Sequence, residues 1–290
     1  MDDKHEIDEL SGISTTGHEW DGIKELNNPL PRWWINTFYL CILFAIGYTI
    51  LYPAWPGITG STKGLLGWSS RHDLQVSLDE ATASHAAIES KIANSDIKGV
   101  LADPEMKAFA IAAGAATFKS NCTQCHGSGA QGAVGYPNLN DDIWLWGGTP
   151  EQIVTTISHG IRFAADKDTH TSQMPAFGHD GILNDEQISD VTNFVLQISK
   201  QDHDAAKAAN GAKIFTDNCA ACHGEKGDGN NDVGAPPLNK QVWLYKGTAE
   251  GITAQINNPR SGVMPAWEAR LGPTKVKELA AFIVSLGGAK

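Results

Sequence analysis

"NCTQCHG" (Asn121–Gly127) sets two thiols and an imidazole within five positions, and "NCAACHG" (Asn218–Gly224) does so again. The flanks repeat as well. "GAATFKSNCTQCHG" from Gly114 lines up with "GAKIFTDNCAACHG" from Gly211, and "PNLNDDIWLWGGTPEQIVTTI" with "PPLNKQVWLYKGTAEGITAQI". Further on, "QMPAF" (Gln173–Phe177) parallels "VMPAW" (Val263–Trp267). A period of roughly ninety to a hundred residues is a whole small domain rather than a solenoid unit. The chain therefore carries two copies of one module.

Three chemistries use a C-x-x-C pair: a zinc site, a redox dithiol and a covalently attached haem. Linked pairs of a zinc ribbon usually stand about 15 to 20 residues apart; here Cys125 and Cys219 are 94 positions apart, one pair per module. A dithiol gives no reason for a histidine to follow at once, twice. C-x-x-C-H is the pattern of c-type haem attachment. Cys122 and Cys125, then Cys219 and Cys222, supply the thioethers, and His126 and His223 each place an imidazole on an iron. Two covalently bound c-type haems are the expected cofactors.

A His-ligated iron needs a sixth ligand or keeps an open site. Only four methionines occur, Met1, Met106, Met174 and Met264. Two of them share an "MPA" context, 48 positions beyond His126 and 41 beyond His223. Met174 and Met264 are the expected axial thioethers. A Met/His pair raises the reduction potential and closes the iron to exogenous ligands, which is the chemistry of a relay. Arg162 and Arg260 precede these methionines and are candidates either for haem propionates or for plain solvated surface. His159, His170 and His179 have no counterpart in the second module and read as surface or haem-edge residues. His5, His18, His72, His85 and His203 receive no role.

Helix signals dominate the modules. Asp103 and Pro104 open an Ala-rich run into the first CxxCH. Thr149 with Gln152, and Asn184 with Gln187, are capping-box patterns. Ile188, Val191 and Val195 form one apolar stripe, and Val276, Leu279 and Ile283 a matching one. No alternating run suggests a sheet. Each module is short for a core of its own, and a buried haem supplies the missing apolar volume. The fold class is all-α.

Ahead of the modules, "RWWINTFYLCILFAIGYTILY" (32–52) has no charge after Arg32. At about 1.5 Å per residue it reaches roughly the 30 Å of a bilayer core. Trp33, Trp34, Tyr52 and Trp55 flank it like an interfacial belt. The run begins too late and is too long for a cleavable signal peptide, and Cys41 within it reads as apolar filler. The expected layout is an acidic segment 1–31, a transmembrane helix 32–56, a tether with a helix over 57–102, and modules 103–200 and 201–290. The tether helix, striped by Leu74, Leu78, Ile88 and Ile92, is either a spacer or a face for another subunit. The net charge of −11 disfavours nucleic acid. The two modules carry −6 and +1, so the first is expected to dock a basic donor.

The modules resemble class I cytochromes c, in which a proline carbonyl after the CxxCH orients the ligating histidine; by that resemblance Pro137 and Pro236 take this part. "TTGHEWDGIKELNNPLPRWW" (Thr15–Trp34) is far more particular. It resembles the N-terminal signature of the membrane-anchored dihaem subunit (subunit III, FixP/CcoP type) of cbb3-type cytochrome c oxidases. That likeness extends over the whole chain, with one anchor helix where some members have two. It implies an electron-transfer subunit, not an enzyme on its own. In an oxygen-reducing, proton-pumping complex it would sit with a catalytic haem–copper subunit and a monohaem cytochrome c subunit. It would take electrons from a donor cytochrome c or a quinol–cytochrome c reductase. Lys and Arg near the helix are balanced on its two sides and do not orient it. The likeness of CxxCH attachment to the bacterial pathway outside the cytoplasmic membrane implies an inner-membrane protein with a cytoplasmic N-terminus and periplasmic haem domains. A free tethered shuttle and a dihaem peroxidase are the competing classes; the Thr15–Trp34 signature speaks against the first, and the paired Met-Pro segments against the second.

Overall fold

The computed structural model describes residues 6–289; Met1, His5 and the rest of 1–5, with Lys290, lie outside the described residues. Two compact units divide between Ala83 and Ser84.

The first unit opens with a hairpin that the sequence reading missed. Strand β1 (Thr15–Trp20) pairs antiparallel with β2 (Ile23–Leu26), Trp20 opposite Ile23. Asp21 and Gly22 between them both have positive φ, 50° and 82°. Two such residues make the tight turn whose twist suits antiparallel strands, and Asp-Gly is a favoured sequence for it. Helix α1 (Arg32–Leu51) follows, 20 residues with none buried. An apolar surface on every side is what a lipid-solvated helix needs. The hydroxyls of Thr37 and Thr49 donate to the carbonyls of Trp33 and Ile46, so neither is left unsatisfied. At its end, Ile50 and Leu51 carbonyls accept from the amides of Leu65 and Leu66 at 3.0 and 3.1 Å. Gly64 permits this return, since a Cβ there would stand 2.3 Å from the Leu51 oxygen.

Helix α2 (Ser70–Ala93) carries the boundary between the units. Its residues from Ser70 to Ala87 are exposed. Of the stripe read from the sequence, Leu74 and Leu78 are uncovered, Ile88 is half-buried, and Ile92 is in a core.

The second unit is helical: α3 (Ile97–Ala102), α4 (Pro104–Asn121), α5 (Thr123–His126), α6 (Pro150–His159), α7 (Asp185–Ile198), α8 (Ala205–Asn218), α9 (Ala220–His223), α10 (Ala249–Asn257), α11 (Glu268–Leu271) and α12 (Pro273–Ser285). The caps are where the sequence put them. Asp103 accepts from the amides of Glu105 and Met106, and the Thr149/Gln152 and Asn184/Gln187 boxes are both formed.

How these helices pair departs from a string of two separate modules. Helix α4 packs on α12, and α7 packs on α8. One core therefore joins Ile92, Val100, Ala110, Phe118 and Ile153 to Val276, Leu279 and Ile283. The other holds Phe177, Ile188, Val191, Val195, Phe215 and Ile252. The chain leaves the first core after Gly160, builds the second over 161–263 and returns at Met264. The apolar stripe of α12, although written in the second module, closes the first core, and α7 of the first module closes the second. Aromatic pairs repeat the exchange: Phe118 meets Phe282 at 5.2 Å between ring centres, and Phe215 meets Phe194 at 5.0 Å.

Candidate functional site

Each CxxCH is a single helical turn set on the end of a longer helix. Cys122 caps α4, and the amides of Cys125 and His126 return to its carbonyl at 3.1 and 2.9 Å. Cys219 caps α8 in the same way, with Cys222 and His223 at 3.1 and 2.9 Å. Gly127 and Gly224, at φ 80° and 79°, end the two turns. The turn brings both thiols and the imidazole of each motif close together, as a porphyrin edge and its iron require.

The histidines are held alike. His126 Nδ1 lies 3.1 Å from the carbonyl of Pro137, and His223 Nδ1 lies 2.9 Å from that of Pro236. A carbonyl only accepts, so Nδ1 carries the hydrogen and Nε2 keeps its lone pair for a metal. Burial pushes both imidazoles below their ordinary pKa, the proline carbonyl opposing it; neutral rings at neutral pH are the ligating form. Burial, and then the neighbouring thiol, push Cys122 and Cys219 up to about 11.

Beside the second motif lies a cavity of about 230 Å³. Cys219, Cys222 and His223 line it, and so do Met174 and Pro175 of the first module. Met174 also packs on the second core with Cys219. Met264 packs on the first core, with Cys122. Its backbone forms an antiparallel bridge with Ile161 through hydrogen bonds of 2.9 and 3.0 Å. Met174 thus shares a cavity with the histidine of the other module, and Met264 packs on a core with a cysteine of the other module. The thiols, the oriented imidazole, the thioether and an apolar cavity between them fit a haem.

Arg162 and Arg260 both line the cavity beside His223, rather than one at each motif. The Arg260 guanidinium lies over the Tyr245 ring, 4.5 Å from its centre. The other first-module histidines stay outside this cavity. His159 meets Asp166 at 3.2 Å, His170 stacks on Trp146, and His179 sits exposed beside Asp180.

Sequence reasoning missed the residues that join the two halves. The Tyr245 ring lies 3.4 Å from where a Cβ on Gly135 would stand, and Trp146 crowds Gly234 in the same manner. Gly135 and Gly234 occupy equivalent places in the repeat, as do Trp146 and Tyr245, so the contact is reciprocal. The repeated "WLW" and "WLY" were a readable signal for it.

A helical chain with two such motifs is a dihaem cytochrome c, here behind one apolar N-terminal helix. Three family models match it: "N-terminal domain of cytochrome oxidase-cbb3, FixP" over residues 12–59, "Cytochrome c" over 111–199, and "Cytochrome C oxidase, cbb3-type, subunit III" over 206–283. The cbb3-type cytochrome c oxidase subunit CcoP of Cereibacter sphaeroides is 54% identical over 94% of both chains. FixP subunits of Sinorhizobium medicae and of a Bradyrhizobium strain are each 50% identical, over 99% and 100% of both chains. The chain belongs to the CcoP/FixP family of cbb3-type cytochrome c oxidase subunits. It is a membrane-associated electron-transfer component with two covalently bound c-type haems, and oxygen reduction belongs to another subunit of the complex.

Proposed function

We propose that electrons pass through two haems with crossed axial pairs, His126 with Met264 and His223 with Met174. The placing of Met174 on the cavity of Cys219, Cys222 and His223 carries this reading. When bound, the haems supply one-electron redox chemistry. The residues of the chain tune and shelter it. Pro137 and Pro236 fix the imidazole tautomer, each thioether would ligate an iron and raise its potential, and Arg162 and Arg260 would offer positive charge to propionates at the second cavity. The route runs from a donor cytochrome c or a quinol–cytochrome c reductase toward the catalytic haem–copper subunit, alongside the monohaem cytochrome c subunit. The N-terminus is cytoplasmic, the haem cores periplasmic, and the membrane the bacterial inner membrane. Residues 1–31, 32–56, 57–102, 103–200 and 201–290 are its segments in sequence, with the last two exchanging their closing helices.

A chain retaining only the first haem tests the crossing. With Cys219 and Cys222 both changed to Ala, Met264→Ala should abolish the near-infrared sulfur-to-iron band of the remaining haem, and Met174→Ala should leave it. The opposite pattern restores uncrossed ligation. Survival of the band in both variants excludes both Met264 and Met174 as the sulfur ligand of that haem.

A further inference from the structure

We infer that Arg162 is a positioning residue that ties the two methionine segments together, so that each axial thioether depends on the same side chain; the inference rests on the ligand reading above. Residues 160–162 form the middle of a three-stranded junction. On one side Ile161 exchanges backbone hydrogen bonds with Met264 at 2.9 and 3.0 Å. On the other the Arg162 amide donates to the His170 carbonyl at 2.7 Å, and the His170 amide to that of Gly160 at 3.2 Å. The Arg162 side chain then reaches both flanks. Its Nε donates to the Gly262 carbonyl at 2.7 Å and its Nη1 to the Ser172 carbonyl at 3.3 Å. Gly262 and Ser172 each stand two residues ahead of a methionine, Met264 and Met174. One guanidinium holds both segments at the same offset.

Three further observations support a positioning role. Arg162 has φ 52°, a left-handed conformation uncommon for a residue with a side chain. Such a backbone persists where surrounding contacts over-determine it, and it often marks a functional position. The side chain is half-buried, so its two hydrogen bonds replace water rather than compete with it. Arg260, the other arginine ahead of a methionine segment, makes no such tie: its Nε faces Gln255 at 3.4 Å, and its guanidinium covers Tyr245. A planar fork supplies the two divergent donors, and a lysine ammonium does not reproduce that geometry.

Potentiometric titration and near-infrared spectra of the detergent-solubilised full chain test this, with Arg162→Lys and Arg162→Gln each made alone and in Met174→Ala and Met264→Ala backgrounds. Each background leaves one thioether-ligated iron to observe. Arg162→Lys should weaken the sulfur-to-iron band and lower the potential of the thioether-ligated haem in both backgrounds, as Arg162→Gln does. If Arg162→Lys restores the wild-type potential in both, the role is charge alone and the tie is overturned. An effect confined to one background overturns it as well, leaving Arg162 with one site. If the Met variants themselves leave the band unchanged, the ligand reading fails rather than the tie. Should Arg162→Gln not accumulate, Arg162→Lys alone decides, because it keeps the charge and nearly the volume.

Discussion

Gly114 of α4 lies against the backbone of Glu278 in α12, so closely that a Cβ on Gly114 would stand 2.1 Å from the Glu278 carbonyl oxygen. The same crossing recurs between Gly211 of α8 and the carbonyl of Asp190 in α7, at 2.2 Å. Each contact joins an N-terminal helix of one module to the C-terminal helix of the other. Even one methyl group must push such a pair of helices apart. Overpacking of this kind costs about 1–3 kcal/mol, so Gly114→Ala and Gly211→Ala should each lower the thermal midpoint. Calorimetry of the full chain checks this, and midpoints equal to wild type would contradict the close crossing.

Truncation separates crossed from uncrossed packing more directly. A chain ending at Val263 lacks Met264, α11 and α12. In the crossed fold it keeps the whole second core, with Met174 beside His223, and strips the first core of Val276, Leu279 and Ile283. Resonance Raman spectra of the truncated protein should show the first haem without its thioether and the second one intact. Loss of the thioether at His223 instead would mean that each module closes on itself.

The sequence carries the chemistry and most of the local structure, but not this exchange. CxxCH, the methionines, the caps and the anchor helix depend on residues close together in the chain. Partner choice does not. The stripe Ile188, Val191, Val195 matches the stripe Val276, Leu279, Ile283, and Gly114 with Phe118 matches Gly211 with Phe215. Either C-terminal helix therefore suits either N-terminal helix. The deciding feature is the connection between Ile198 and Ala205, six residues long. Short links make consecutive helices antiparallel neighbours, so α7 folds back on α8 and leaves α4 to α12. The Asp21–Gly22 turn was legible too, but the stretch around it was read only as a signature.

Glu278 makes the first core sensitive to pH. Its side chain is fully buried, and Oε1 has no hydrogen-bond partner among the described residues. Lys275 Nζ reaches Oε2 at 3.2 Å. Burial raises the Glu278 pKa above the ordinary carboxylate range, with Lys275 opposing. With the folded pKa above the unfolded one, the native chain holds the proton longer, so stability falls as pH rises from the unfolded value through the folded one. Glu278→Gln should remove that part of the fall. Denaturant titrations from pH 4 upward compare the two chains, and parallel pH profiles would rule out this origin.

Membrane orientation is open to a simple assay. A cytoplasmic reporter fused ahead of Pro31 and a periplasmic reporter fused after Lys290 should both be active, because haem attachment at Cys122, Cys125, Cys219 and Cys222 is expected outside the cytoplasm. The reverse pattern of activity contradicts both the orientation and the site of attachment.

Donor docking must be argued from the cores rather than from the modules. By module the charges were −6 and +1, which favoured the first as the docking face for a basic donor. Crossing redistributes them. Residues 84–160 with 264–289 carry nine acidic and seven basic side chains, and 161–263 carry thirteen and nine, net −2 and −4. Asp142 of the first core also lies 3.4 Å from Lys240 of the second, so part of its charge is already answered. Exposed charges more than about 8 Å apart are largely screened at physiological ionic strength, and charge steers encounter more than it holds a complex. Reversing Asp141 and Asp142 together, or Asp180 and Asp202 together, should therefore slow reduction by a basic cytochrome c to a similar extent at low salt. Both effects should fade as salt is added. Stopped-flow rates decide: a loss confined to the first pair would return the docking face to the first core, and a loss confined to the second would assign it to residues 161–263.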